Sequence, residues 1–560
     1  MKILYVWVEK FKNLSSFGIS LSSNRKYRYD MSVNHVSFEP IPALPNDFFP
    51  RPVVDIAAII GENGVGKSNA LELICRALKG TLRSALRSDY LIVYEDQGVT
   101  HCDFQFGHRS APTCEFDAKV QALDTGVPLD GIEVVYFSNV TTSKPKNLGQ
   151  HVTDISPNDR FSFVRSRQGE RTEFEKQFEF ILDKDRFGKL EMRPPSHVAI
   201  TFRDAIREDL IRNMTKKTEL SGSKVIRAYL AHYRSAVATL QSADDKFLFL
   251  TVHNFIFSSL SEFGLDEIEI FTIFERTLGK EGFGDILGTL FQGVDKKLDE
   301  ILPNSKKDAR GRFKSRLEGL QNLFREIPEI SIEESPDSQS FAKLHTFIIE
   351  LKKDTQQFVS EVLRTFRDFR AVDVDWIGIS SGQRAFLNLF SLVTYELNRR
   401  ENSSVLLCID EGDLYLHPRW QIEFLDRFLQ VLSSFASDLE VSLVLTSHSP
   451  FLVSDLPKQC LTVMTRDAAT TEGHQLEDQT LAGNLYRIYE NPFSINIMET
   501  SAFASRKIRE IEHDAKNGLI SKESYDQLLE KAKLIGDEIL RRSVENTIEK
   551  RFKKGPGSVA

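Results

Sequence analysis

Apolar and polar positions along this chain fall into three textures. Through roughly the first 150 residues, short apolar runs alternate with turn-rich stretches, the pattern of strands. Val53, Val54, Asp55, Ile56, Ala57, Ala58, Ile59 and Ile60 predict a buried strand, Asn69 to Cys75 reads as the start of a helix, and Ile132 to Phe137 closes the region as another strand. From about Asp159 to Val374 the sequence turns Phe-rich with a helical period, broken at Ser221-Gly222-Ser223, Pro303-Asn304-Ser305 and Ser335-Pro336-Asp337-Ser338. Strand and helix alternation then returns, and Val405 to Asp410 and Val441 to Thr446 are apolar enough for parallel strands buried on both faces. From Ile495 to Phe552 the chain is helical and charged, with Ile508, Ile511, Leu528, Leu529, Leu534, Ile535, Ile539 and Leu540 as apolar positions of a docking or dimerisation helix set. The division that follows is 1–155 and 375–490 for the two parts of an α/β head, 156–374 for an inserted, mainly helical domain, and 491–554 for a helical C-terminal segment.

A chain of 560 residues is long enough for two to four domains, or for one large domain with an insertion. Its 41% hydrophobic and 27% charged residues argue against extended disorder, and no apolar run reaches the ~18 residues of a membrane span. Met1 to Glu9 is apolar but short and lacks a leader's cleavage pattern, so a first strand is expected there. The five cysteines, Cys75, Cys102, Cys114, Cys408 and Cys460, form no C-x-x-C pair, which disfavours a zinc knuckle and a disulfide framework and fits a reducing cytoplasm. A net charge of −8 argues against a surface that grips nucleic acid everywhere. Local basic patches remain at Arg160, Arg165, Arg167 and Arg171, and at Arg541, Arg542, Lys550, Arg551, Lys553 and Lys554. Phe161, Phe163, Phe174, Phe178 and Phe180 beside the first patch could stack bases, but core packing is the stronger expectation. Gly555 to Ala560 reads as a flexible tail.

Between the predicted strand and helix lies Gly61-Glu62-Asn63-Gly64-Val65-Gly66-Lys67-Ser68, which fits the phosphate-loop pattern G-x-x-x-x-G-K-[ST] at every fixed position. Glycines there let backbone N–H groups wrap phosphates, Lys67 reaches the β- and γ-phosphates, Ser68 ligates Mg²⁺, and Asn69 follows at the helix start. The pattern implies a nucleoside triphosphate with Mg²⁺, which the resemblance described next narrows to ATP. Val405 to Glu411 has the form of a Walker B strand: Asp410 is placed to hold the metal, and Glu411 to take a proton from an attacking water.

Ile379-Ser380-Ser381-Gly382-Gln383-Arg384-Ala385, ahead of an amphipathic helix, resembles the signature of ABC-type ATPases, with Ser381 in place of the first glycine. The resemblance implies that Ser380, Ser381, Gly382 and Gln383 complete the nucleotide pocket of an opposite subunit, whereas taken alone the segment reads as a serine N-cap. In Thr446-Ser447-His448-Ser449-Pro450, His448 stands in the position of the family's γ-phosphate-sensing switch histidine, and Asp413-Leu414-Tyr415-Leu416-His417-Pro418 resembles the D-loop region of the SMC, RecF and OLD branches. The resemblance thus implies an ABC-type P-loop ATPase head with a large helical insertion and a helical tail, its catalytic residues Lys67, Glu411 and His448. The Q-loop stays open among Gln97, Gln105 and Ser138-Asn139, and the adenine-stacking aromatic among Phe11, Tyr27 and Tyr29.

The D-loop-like segment and the insertion disfavour a transporter, and the insertion is too short and broken for an SMC arm. Residues after Leu456 lack the Glu and Asp-x-Asp of a Toprim domain, and no HNH motif is present, so no nuclease site of its own is expected. What remains is similar to the Septu ATPases (PtuA) of anti-phage defence, including retron-carried relatives, on Gly61 to Ser68, Ser380 to Gln383, Ile409 to Pro418, Thr446 to Pro457, Leu481 to Tyr486 and Leu534 to Asp537. That similarity implies a cytoplasmic homodimer or larger homo-oligomer, off the membrane, that gates an HNH nuclease, PtuB, with a reverse transcriptase and its RNA/DNA product as further partners where a retron is involved. A RecF-like clamp that binds DNA itself is the alternative, and an ATP-binding scaffold with negligible turnover a third.

Overall fold

The computed structural model describes residues 1–45, 47–79, 88–123, 128–140, 148–149, 151–157, 171–203, 231, 233, 235, 237–263, 315, 318–323, 330–335, 344–352, 355–366, 372–400, 403–435, 439–466, 471–474, 476–485, 488, 502–517 and 521–554. Arg160, Arg165, Arg167, Phe161, Phe163, Tyr486, Ile495 and the last six residues lie outside this set, as do most of the breaks expected inside the insertion. The chain forms two compact units, one of residues 1–452 and 458–477, the other of 453–457 and 478–560.

The first unit is built on a seven-stranded sheet in the order Val152–Asp154, Glu133–Ser138, Ser404–Asp410, Glu440–Ser447, Val53–Gly61, Leu461–Arg466, Thr471–His474. All neighbours are parallel except the last pair. Parallel strands covered on both faces need apolar residues at nearly every position, and Ile56 to Ile60 and Val405 to Ile409 are buried throughout. Register brings Ser138 and Thr446 opposite Asp410, so three strands end together at one edge.

The helix Lys67–Leu78 buries Ala70, Leu71, Leu73, Ile74 and Leu78 in a core shared with Val6, Val8 and Phe11 of the first strand, Lys2–Phe11. That strand lies in a five-stranded sheet, and the opposite phase of its alternation puts Tyr5 and Trp7 in a second core with Tyr27, Tyr29 and Val36.

Within 156–374 the described residues include the helices Glu173–Leu182, Ala243–Phe263 and Thr355–Phe366, and beside them strands that the local period did not indicate. A four-stranded antiparallel sheet runs Ile332–Glu334, Leu344–Glu350, His197–Arg203, Val372–Ile377, and its last strand crosses the expected boundary at 374/375. Its pairing joins His197 to Glu350, a contact that local periodicity cannot read. The phenylalanines fill cores: Phe202 meets the rings of Phe247, Phe347 and Phe366 at 5.6, 5.8 and 6.0 Å. Phe174 stacks on Trp376 at 4.5 Å, and Phe178 lies beyond it at 6.3 Å. The helix Glu173–Leu182 that carries them, started by a Thr172–Glu175 capping box, sets Phe180 against Phe390 of the helix Ser381–Leu397.

In the second unit, helices Ala502–Asn517, Lys522–Lys533 and Glu538–Lys554 share a core of Ile511, Ala515, Leu528, Ala532, Ile535, Val544 and Ile548. Of the expected apolar positions, Leu534 and Ile539 are instead exposed.

Candidate nucleotide site

The strand Val53–Gly61 feeds directly into the glycine loop, and the loop into the helix Lys67–Leu78. Gly66 caps that helix at φ 109°, a conformation that L side chains rarely adopt, and no side chain occupies the cap, so the first helical N–H groups keep the arrangement that receives an anion. The loop is braced from outside. Asn13, in the turn after the first strand, donates through Nδ2 to Val65 O at 3.1 Å and accepts from Asn69 Nδ2 at 2.6 Å. A Cβ on Gly66 would stand 2.6 Å from the same Asn13 amide.

At the adjoining strand ends, Asp410 is fully buried and four hydroxyls donate to its carboxylate. Ser68 and Thr446 reach Oδ1 at 2.9 and 2.7 Å, and Tyr136 and Ser138 reach Oδ2 at 3.0 and 3.4 Å. Those bonds offset the cost of burying a charge. The adjacent hydroxyl and carboxylate oxygens of Ser68 and Asp410 suit a hard divalent cation such as Mg²⁺, which takes few protein ligands and keeps the rest for water and phosphate.

Glu411 leaves the strand at φ 51°, an uncommon conformation for a residue other than glycine, with its N–H bonded to Thr446 O and Thr446 Oγ1 at 3.1 and 3.0 Å. Its carboxylate meets His448 Nε2 at 3.0 Å. The Lys67 ammonium lies 2.7 Å from that nitrogen and donates to Gly61 O and Glu62 O at 3.0 and 3.1 Å. Nε2 can donate to Glu411 or accept from Lys67 but not both, so the tautomer decides which partner it serves. Burial lowers the Lys67 pKa to about 8, although the carboxylates of Glu411, Asp410 and Asp413 pull it upward.

Lys67, Ser68, Asp410, Glu411 and His448 are thus brought together. The segment Ser380 to Gln383 is not joined to them by hydrogen bonds: Ser380 Oγ accepts from Gln383 N at 3.2 Å while Gln383 Oε1 accepts from Ser380 N at 2.8 Å, a capping box. Gly382 lies against the loop after Glu411, where a Cβ would stand 2.9 Å from Tyr415 O. Among the Q-loop candidates, Gln97 sits in a hairpin turn and Gln105 at a buried strand end, whereas Ser138 touches Asp410 and Asn139 Nδ2 donates to Gly412 O at 3.0 Å. Phe11, Tyr27 and Tyr29 are all buried in cores, so none presents a free face to a base.

Sequence reasoning missed Asn13, Tyr136 and Thr446 as site residues. The signal for the latter two was their place near strand ends, but it becomes specific only with register. A family model described as "AAA domain, putative AbiEii toxin, Type IV TA system" matches residues 56–454.

Proposed function

The chain belongs to this AAA-domain family, a P-loop ATPase family of the AAA/ABC type, and from that premise we propose that it is the ATP-hydrolysing regulator or sensor of an anti-phage defence complex. The observation that carries the enzymatic part is the convergence of Lys67, Ser68, Asp410, Glu411 and His448 at one sheet edge. Lys67 and the loop amides bind and orient the phosphates, and Ser68 and Asp410 hold Mg²⁺, whose charge would offset that of the phosphates. Glu411 accepts the proton of the attacking water, and His448 holds the Glu411 carboxylate in place.

Ser380 and Gly382 act in trans on a second head, so that ATP drives head dimerisation. The Septu-like segments and the defence context of the family description support a partner HNH nuclease that this dimerisation gates, together with a nucleic-acid target and, in retron systems, a reverse transcriptase with its product.

Glu411→Gln is expected to lower turnover by ~10² to 10⁴-fold while preserving ATP binding, and Lys67→Ala to impair binding itself. ATP-loaded Glu411→Gln should associate head to head by light scattering; a monomer at every ATP concentration refutes the dimer. Purification from the native operon tests the nuclease.

A further inference from the structure

The loops that follow Asp410 and Ser447 carry the two groups assigned to chemistry, and a buried side chain joins them. Asp413 is 6% exposed, and its Oδ2 accepts from Ser447 Oγ at 2.6 Å. Ser447 is wholly buried, and the same Oγ accepts from Ser449 N at 2.8 Å. His448 is therefore bracketed: the residue before it is tied to Asp413, and the residue after it is tied back to that same hydroxyl. Ser449 Oγ continues to Gln421 Oε1 at 3.4 Å, and Gln421 Nε2 returns to Leu416 O at 3.2 Å, closing a ring of bonds around the base of the histidine. Within that frame the imidazole, one-third exposed, meets Glu411 at 3.0 Å.

Burying a carboxyl group carries a desolvation cost, visible here as a pKa raised above the usual carboxylate range, and a residue chosen only to fill space would avoid it. What Asp413 gains is an acceptor aimed at Ser447. We propose that Asp413 is a positioning residue for ATP hydrolysis, holding Ser447 so that His448 faces Glu411. This rests on the assignment of Glu411 and His448 above. The loop is held at other points as well, by Asn139 Nδ2 on Gly412 O at 3.0 Å and by Leu414 N on Glu411 O at 3.1 Å, but the Asp413–Ser447 bond joins it to the residue next to His448.

The test compares Asp413→Ala, Asp413→Asn and Ser447→Ala with the parent in steady-state ATPase assays and fluorescent-nucleotide titrations. Asp413→Ala and Ser447→Ala should each lower kcat by about tenfold to a hundredfold, the scale of a misplaced catalytic group, with KM and nucleotide affinity within about twofold. The double variant should be no worse than Ser447→Ala, which already removes the bond to Asp413 together with that from Ser449 N. Asp413→Asn keeps a carbonyl oxygen for Ser447 and should recover most of kcat, whereas a general structural role would leave it as impaired as alanine. Unchanged kcat in Asp413→Ala or Ser447→Ala overturns the proposal, as does an equal loss in all variants that tracks a lower melting temperature. Should Asp413→Ala not fold, Ser447→Ala against Asp413→Asn decides on the same criteria. Glu411→Gln separates the two readings: if it still turns over, the assignment beneath fails; if it is dead while Asp413→Ala is active, only the positioning role fails.

Discussion

Substituting alanine at Gly66 should damage nucleotide binding more than at Gly64, although both glycines belong to the phosphate loop and both have positive φ, 109° and 82°. Strain from a Cβ in such conformations costs roughly 1–3 kcal/mol at either position. Around Gly64 nothing lies within 4 Å of the added carbon, so strain is the whole effect. At Gly66 the Cβ would stand 2.6 Å from Asn13 Nδ2, which must swing away and give up its bonds to Val65 O and Asn69. Two such bonds are worth about 1 kcal/mol each. The total is then ~3–5 kcal/mol at Gly66 against ~1–3 kcal/mol at Gly64, and a difference of ~2 kcal/mol is about thirtyfold in affinity. Titration of ADP against a fluorescent nucleotide measures both variants, and Asn13→Ala completes the cycle. With the clash already removed, Gly66→Ala should cost less in the Asn13→Ala background than in the parent. Equal losses at Gly64 and Gly66, together with additive behaviour of Asn13→Ala, would refute the bracing role of Asn13.

Two further outcomes follow from other parts of the structure. Lys67, lowered by burial to about 8, loses its proton as pH rises through that value in the nucleotide-free protein, and bound phosphate favours the charged form. Metal-free ADP binding should therefore not vary with the titration of Lys67 below pH ~8, weaken by up to ~10-fold per pH unit above it, and take up protons there. Calorimetry in buffers of different ionisation enthalpy reads that uptake, which Lys67→Met should abolish. In the antiparallel sheet, Phe202 is wholly buried among three other phenylalanine rings, and Phe202→Ala should cost ~3–5 kcal/mol in denaturant unfolding; an unchanged midpoint would show that this aromatic cluster is not a core.

The sequence by itself determined the parts of this protein that are contiguous. Strand, glycine loop and helix from Val53 to Leu78 are a local pattern whose conformational demands, glycines at positive φ and a lysine at the helix start, are written in neighbouring residues. The same holds for the apolar strands that end in Asp410 and Ser447, for the serine N-cap at Ser380, and for the choice of core over base stacking at Phe174, Phe178 and Phe180.

Tertiary structure decided what depends on register between distant segments. Ser138 and Asp410 are 272 residues apart, and only parallel pairing puts them side by side and distinguishes Ser138-Asn139 from Gln97 and Gln105. It likewise brings Tyr136 onto the same carboxylate, sets Asn13 on the glycine loop, and builds an antiparallel sheet inside a stretch whose local period reads as helix. Periodicity reports which face of an element is apolar. It carries no information about which other element will cover that face, because that choice is made by the collective packing of strands and helices far apart in the chain.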